Sequence, residues 1–158
     1  MNALTSEDYN IANVLILDDS AFDRARLRRA IQVARIRCCI QEVESLNAAE
    51  AVLHSDEFDL AILDYDLPVG TGHDAIRLLQ RSPLNSHASM VMITGNQSVR
   101  VSRVALEMGC VACISKDGLT PDGLKCVFVD AMNQTRNRNH VNQPSSMSNT
   151  HSELFVVE

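Results

Sequence analysis

A chain of 158 residues, 46% of them hydrophobic and none of them tryptophan, can bury one aliphatic core of ordinary composition. Its formal charge of −6 argues against a general nucleic-acid binder, which needs a basic footprint. No apolar run approaches the roughly 18 residues that span a bilayer, the polar residues 1–10 do not read as a secretory signal, and five cysteines without scaffold spacing read as the reduced thiols of a cytoplasmic protein.

Residues 1–10 read as an N-terminal extension. The first apolar run, Val14 to Leu17, has the length and continuity of a strand buried on both faces, and it ends in Asp18-Asp19. Leu27, Ala30, Ile31 and Ala34 follow at i, i+3, i+4 and i+7, the stripe of a helix packed on one side. Arg24, Arg26, Arg28, Arg29 and Arg35 share that helix, with Arg37 just beyond it. Cys38 to Val43 mixes apolar and polar residues and suits an edge strand, and a short helix fits Ala48 to His54. The next two-sided run, Leu60 to Leu63, ends in Asp64, with Asp66 two residues on.

Pro68, Gly70 and Gly72 punctuate the segment after it, and a second short helix fits Asp74 to Gln80. Met90 to Ile93 is a third two-sided run and ends in Thr94. Val101, Val104, Ala105 and Met108 carry the helical spacing again, with Gly109 placed to cap that helix. A fourth two-sided run, Val111 to Ile114, ends in Ser115-Lys116. Thr120-Pro121 opens a last helix striped by Leu124, Val127, Phe128 and Ala131. From Asn133 the composition turns to Asn, Ser, Gln and Thr, so residues 133–158 read as a polar, disordered tail. Its end, His151 to Glu158, reads as a frayed terminus or a short motif for a partner.

Strands alternating with helices of this length imply βαβ crossovers. The expected fold is α/β, a (βα)5 doubly wound, five-stranded parallel sheet over residues 11–132. In such a sheet, ligands bind outside the carboxyl ends of the strands. Asp18, Asp19, Asp64, Asp66, Thr94, Ser115 and Lys116 all fall there. Carboxylates gathered at one mouth repel one another unless a cation joins them, and an all-oxygen set with room for water suits Mg²⁺ or Mn²⁺. The lysine and hydroxyl add donors for an anion. A carboxylate held among them can attack phosphorus and form an aspartyl phosphate.

Plainer readings exist for each part. Asp18-Asp19 alone could be an acid pair favoured by a helix dipole. Asp66 could be a surface turn residue or could act on a water that removes phosphate. Cys110-Val-Ala-Cys113 lacks a second ligand pair for zinc and reads as two packed thiols. The arginines could form a solvated face paired with Asp23 or Glu42.

The ordered set Leu17-Asp18-Asp19-Ser20, Leu63-Asp64-Tyr65-Asp66-Leu67-Pro68, Gly70 to Gly72, Thr94-Gly95 and Ser115-Lys116 resembles the receiver domain of two-component response regulators. Asp64 and Thr94 are 30 residues apart and Thr94 and Lys116 are 22 apart, as in that family. The resemblance implies the flavodoxin-like strand order 2-1-3-4-5 and names Asp64 as the phospho-acceptor. It implies that Asp18, Asp19, Asp64 and the backbone carbonyl of Asp66 hold Mg²⁺. Thr94 and Lys116 would each bind a phosphoryl oxygen.

It further implies a histidine kinase or histidine phosphotransfer protein as donor, docking on the helix of Arg24 and Arg28. The family's usual aromatic switch residue is replaced by Cys113, and its usual proline after the lysine by Asp117. With few residues beyond 132, the expectation is a single-domain regulator that turns over no substrate of its own. It would signal by phosphorylation-dependent contact with an unknown downstream protein or by phosphorelay, with no DNA or membrane partner. The alternative is an aspartate-dependent phosphatase of the haloacid dehalogenase type, since Asp64-Tyr65-Asp66 mimics that family's acid pair.

Overall fold

The structure, a computed structural model, describes residues 11–95 and 98–142. The expected extension 1–10 and the stretch His151 to Glu158 lie outside the described residues.

Five strands and five helices alternate. They are β1 (Ala12–Leu17), α1 (Ala21–Val33), β2 (Cys38–Val43), α2 (Leu46–Ser55), β3 (Leu60–Asp64), α3 (Gly72–Arg81), β4 (Ser89–Thr94), α4 (Val99–Glu107), β5 (Ala112–Ser115) and α5 (Pro121–Asn142). The strands form one parallel sheet in the order β2-β1-β3-β4-β5. This is the parallel α/β architecture that the alternation of apolar runs and helical stripes implies, in the flavodoxin-like order that the family resemblance implies.

Pleat alternation divides the core into two layers. Val14, Ile16, Leu60, Ile62, Val91 and Ile93 pack against α1 and α5, where Leu27, Ile31, Leu124 and Phe128 are buried. Leu15, Leu17, Ala61, Leu63, Met90 and Met92 pack on the other face against α2, α3 and α4. Every residue of β3 and β4 is buried, because these strands have neighbours on both sides and helices above and below.

Two expectations need correction. The run Val111 to Ile114 read as a strand buried on both faces, yet β5 starts at Ala112 and is half-buried along its whole length. Apolar continuity reports that both faces are covered; it does not report a missing neighbour, and β5 is a sheet edge like β2. Similarly, the polar composition from Asn133 suggested disorder, yet α5 continues to Asn142. The reason is that the buried stripe of Phe128 and Ala131 continues through a polar residue. Thr135 is 1% exposed, and its Oγ1 donates to the carbonyl of Asp59 at 2.9 Å. Its oxygen also lies 2.8 Å from Ser89 Oγ, and Arg138 donates to the carbonyl of Ala88 at 3.3 Å.

Helix ends follow their sequence signals. Gly109 sits at φ 111°, and its N–H and that of Cys110 bond the carbonyls of Leu106 and Ala105, closing α4 as a Schellman cap. Thr120 Oγ1 accepts the Gly123 N–H at 3.1 Å at the start of α5.

Candidate functional site

The site grows out of the pleat. Counting on by twos from Ile16, Ile62 and Ile114 gives Asp18, Asp64 and Lys116, so all three side chains emerge on the α1/α5 side of the sheet's carboxyl end. They meet there. Lys116 Nζ lies 3.0 Å from Asp18 Oδ2 and 3.3 Å from Asp64 Oδ1. Asp64 is 2% exposed, and its Oδ1 also accepts the Asp66 N–H at 3.3 Å. Asp18 is buried, and its Oδ1 accepts the Ser20 N–H at 2.8 Å.

Asp19 is exposed beside them, and one oxygen from each of Asp18, Asp19 and Asp64 lies within 4.8 Å of the others. Ser20 in turn caps α1 by accepting the Asp23 N–H at 3.2 Å.

The loop after β3 is shaped around the acid. A Cβ on Gly72 would stand 2.9 Å from the Asp64 carbonyl and closer still to the Met92 sulfur, so only glycine fits. Gly70 takes φ 78°, and the Gly72 N–H returns to the Tyr65 carbonyl at 3.0 Å. Asp66 keeps an exposed side chain on this loop.

Thr94 ends β4, buried, and stands beside Ser115 in the β4–β5 register. It is in step with Met92 in the pleat and follows Ile93, the partner of Asp64 in the β3–β4 register. Cys113 packs in the same layer as Met92. Lys116, Asp117 and Gly118 form one 3-10 turn whose peptide bonds are trans.

The electrostatics follow from burial. Desolvation pushes the Asp64 carboxyl up to about 6, and the negative charge of Asp18 adds to the rise; Lys116 and the Asp66 N–H only partly oppose it. Burial by itself would lower Lys116. Its hydrogen bonds to Asp23 and Asp18, with the charges of Asp64 and Asp18, outweigh burial and hold the ammonium well above the usual lysine range. Repelling carboxylates around one open mouth are a donor set that fits a hard divalent cation, with oxygens from Asp18, Asp19 and Asp64 as protein ligands.

Sequence reasoning missed one member. Asp23 Oδ2 lies 2.8 Å from Lys116 Nζ, the shortest of the lysine's three carboxylate contacts. Asp23 read only as a neighbour for the arginines, and it does stand 3.9 Å from Arg26. A salt bridge across 93 positions leaves no local signal.

The arginines are partly committed within the chain. Arg24 donates to the Asp18 carbonyl at 2.6 Å and faces Glu42 at 3.6 Å, while Arg28 meets Glu42 at 2.5 Å. The two thiols of the Cys110-Cys113 pair are free; burial in the core pushes Cys110 up to about 12, which leaves it inert.

Residues 14–127 match the response regulator receiver domain. The chain belongs to that family. Over 103 residues it is 31% identical to a phosphate regulon transcriptional regulatory protein of Pseudomonas aeruginosa, covering 65% of this chain and 44% of that protein. It is 28% identical over 105 residues to a two-component response regulator of Oryza sativa, covering 66% of this chain and 85% of that one. Among solved structures it superposes on the signal receiver domain of a Luxo repressor protein from Vibrio parahaemolyticus with a TM-score of 0.74 at 19% identity, covering 85% of this chain and 100% of that one.

The matched region spans only 25% to 44% of the first three curated relatives. The receiver is a signalling module built for aspartyl phosphate, and the acid pocket is where such domains bind Mg²⁺. The haloacid dehalogenase reading loses its footing, because Asp64 closes the third strand of a receiver sheet. Among the described residues, no helix is long and apolar enough to cross a membrane.

Proposed function

We propose that this receiver takes a phosphoryl group onto Asp64 from a histidine kinase or histidine phosphotransfer protein, and that the phosphorylated face then contacts a downstream protein or passes the group on. The observation that carries the reading is the meeting of Asp18, Asp64 and Lys116 at one mouth, with Asp19 within ligand distance.

In the transfer, an Asp64 oxygen attacks phosphorus while the bond from phosphorus to the donor's imidazole nitrogen breaks. The electron pair stays on that nitrogen, which takes a proton from solvent. Lys116 neutralises one phosphoryl oxygen and Thr94 donates its hydroxyl to another. Asp18, Asp19, Asp64 and the Asp66 carbonyl would hold Mg²⁺, which supplies charge neutralisation for the approaching and bound phosphoryl group. Thr94 rises beside Ser115 and Cys113, so its movement toward phosphate is felt at the β4–β5 edge. Cys113 is too small to act as an aromatic rotamer, and the signal passes through backbone and helix position instead.

The donor docks on α1, which exposes Phe22, Arg28 and Arg29 and touches the acid mouth through Asp23 and Arg24. The charge of −6 weighs against DNA contact by this part of the chain, and a cytoplasmic location fits the reading. The test is incubation with acetyl phosphate and Mg²⁺ followed by intact-mass measurement. The natural protein gains one phosphoryl mass; Asp64→Asn and the EDTA-treated protein do not. A gain in Asp64→Asn equal to that of the natural protein would overturn the assignment.

A further inference from the structure

We infer that Asp23 is a positioning residue that restrains phosphorylation by competing for Lys116. The inference rests on the receiver reading above and adds to it a residue from the first turn of α1.

Lys116 Nζ stands among three carboxylates, at 2.8 Å from Asp23, 3.0 Å from Asp18 and 3.3 Å from Asp64. The tightest contact is thus the one to a residue outside the metal-ligand set. Asp18 and Asp64 are buried, whereas the Asp23 side chain keeps 24% of its surface exposed and can lose its partner to water at low cost. When a phosphoryl group arrives, it must draw the ammonium away from Asp23. The lysine's backbone is fixed by the 116–118 turn, and Arg26 reaches its carbonyl at 3.4 Å. Only the side chain has to swing.

Charge counting gives the direction. Three carboxylates, one divalent cation and one ammonium sum to zero, which suits an incoming phosphodonor. Asp23 adds a further negative charge against the lysine, which holds the ammonium back and weakens its pull on an incoming phosphodianion. The released Asp23 carboxylate turns to Arg26, already 3.9 Å away, so occupancy of Asp64 is reported on the surface of α1. The same helix carries the proposed docking face, so the residue that restrains transfer also senses its completion.

The experiment measures initial rates of phosphoryl uptake by the 158-residue chain from acetyl phosphate at several subsaturating concentrations with saturating Mg²⁺, read by intact mass. In this reaction, acetate leaves with the electron pair of the broken phosphorus–oxygen bond as the bond to Asp64 forms. Asp23→Asn keeps the shape and the hydrogen-bond acceptor but removes the charge. The expected result is uptake faster by about fivefold at each concentration. Asp23→Glu, which keeps the charge, stays near the natural rate. In a Lys116→Ala background the Asp23→Asn gain disappears, since Asp23 acts through the lysine. Uptake by Asp23→Asn no faster than by the natural protein, or the same gain with and without Lys116, would overturn the role of Asp23 alone. Failure of the natural protein to take up phosphate at Asp64 would instead remove the receiver reading itself.

Discussion

The sheet buries polar groups at both ends, and the two ends are built on opposite rules. At the amino end Asn85, Ser89 and Thr135 are neutral and satisfied. Asn85 is fully buried; its Oδ1 accepts the Phe58 N–H at 2.8 Å, and its Nδ2 donates to the carbonyls of Leu53 and Asp56 at 3.1 and 2.9 Å. Ser89 donates to the Ala131 carbonyl at 2.7 Å, and Thr135 to that of Asp59. At the carboxyl end, by contrast, like charges are held together against their repulsion, with one lysine shared among them. The first cluster ties loops and helices to the sheet. The second is less stable than it could be, and the fold around it keeps it so. Buried polarity that is satisfied serves structure; buried polarity that is frustrated awaits a partner.

The comparison breaks most visibly at Asn85. Asn85→Ala strands the buried Phe58 N–H and takes a donor from the Asp56 carbonyl, and it should lower stability by about 3 kcal/mol, measured by urea denaturation. Phosphoryl uptake by the folded fraction should stay at the natural rate. Loss of uptake out of proportion to unfolding would mean the two ends are coupled.

Asp64→Asn sharpens it from the other side. The Asp64 carboxyl titrates at about 6 in the fold against 3.8 for the free side chain, so the folded state binds its proton more tightly than the unfolded chain. Stability from this group is therefore present below pH 3.8 and is lost as pH rises towards 6. Removing the charge should make Asp64→Asn more stable than the natural protein by about 2 kcal/mol at pH 7 without metal. The difference should shrink to nothing near pH 4. Thermal melts in EDTA across this range read it, and an Asn variant less stable at pH 7 would refute the repulsion.

Thr135→Val is a smaller test of the amino end. It removes a buried hydroxyl whose acceptor, the Asp59 carbonyl, keeps the Ser89 N–H at 3.0 Å. The cost should be about 1 kcal/mol. Cutting the chain after Met132 should cost more than this single change, because Arg138 is lost as well. A truncated chain as stable as the intact one would show that the last turns of α5 do not hold the sheet.

How legible each end was in the sequence follows from the same contrast. The acids, Thr94 and Lys116 stand at the ends of apolar runs, so strand periodicity alone brings Asp18, Asp64 and Lys116 to one mouth. The amino-end cluster left no such trace. Asn85, Ser89 and Thr135 look like ordinary loop and helix polar residues until the chain has folded, and Thr135 led composition to suggest disorder where α5 continues. Asp23 escaped for a related reason: an acid in the first turn of a helix already has a local explanation in the dipole, and its partner lies 93 positions on, in the turn after β5. The edge position of β5 was equally hidden, because apolar patterning describes what covers a strand's faces and is silent on its neighbours.

The central claim is that the carboxyl end is frustrated until a divalent cation joins its acids. The most direct measurement is the change in melting temperature on adding Mg²⁺ at pH 7.5, for the natural protein and for Asp64→Asn. A cation that relieves the repulsion binds the folded state alone and raises its stability with concentration. The natural protein should gain several degrees with saturating Mg²⁺, and Asp64→Asn, already relieved, should gain far less. Equal gains in the two proteins, or none in either, would contradict the account.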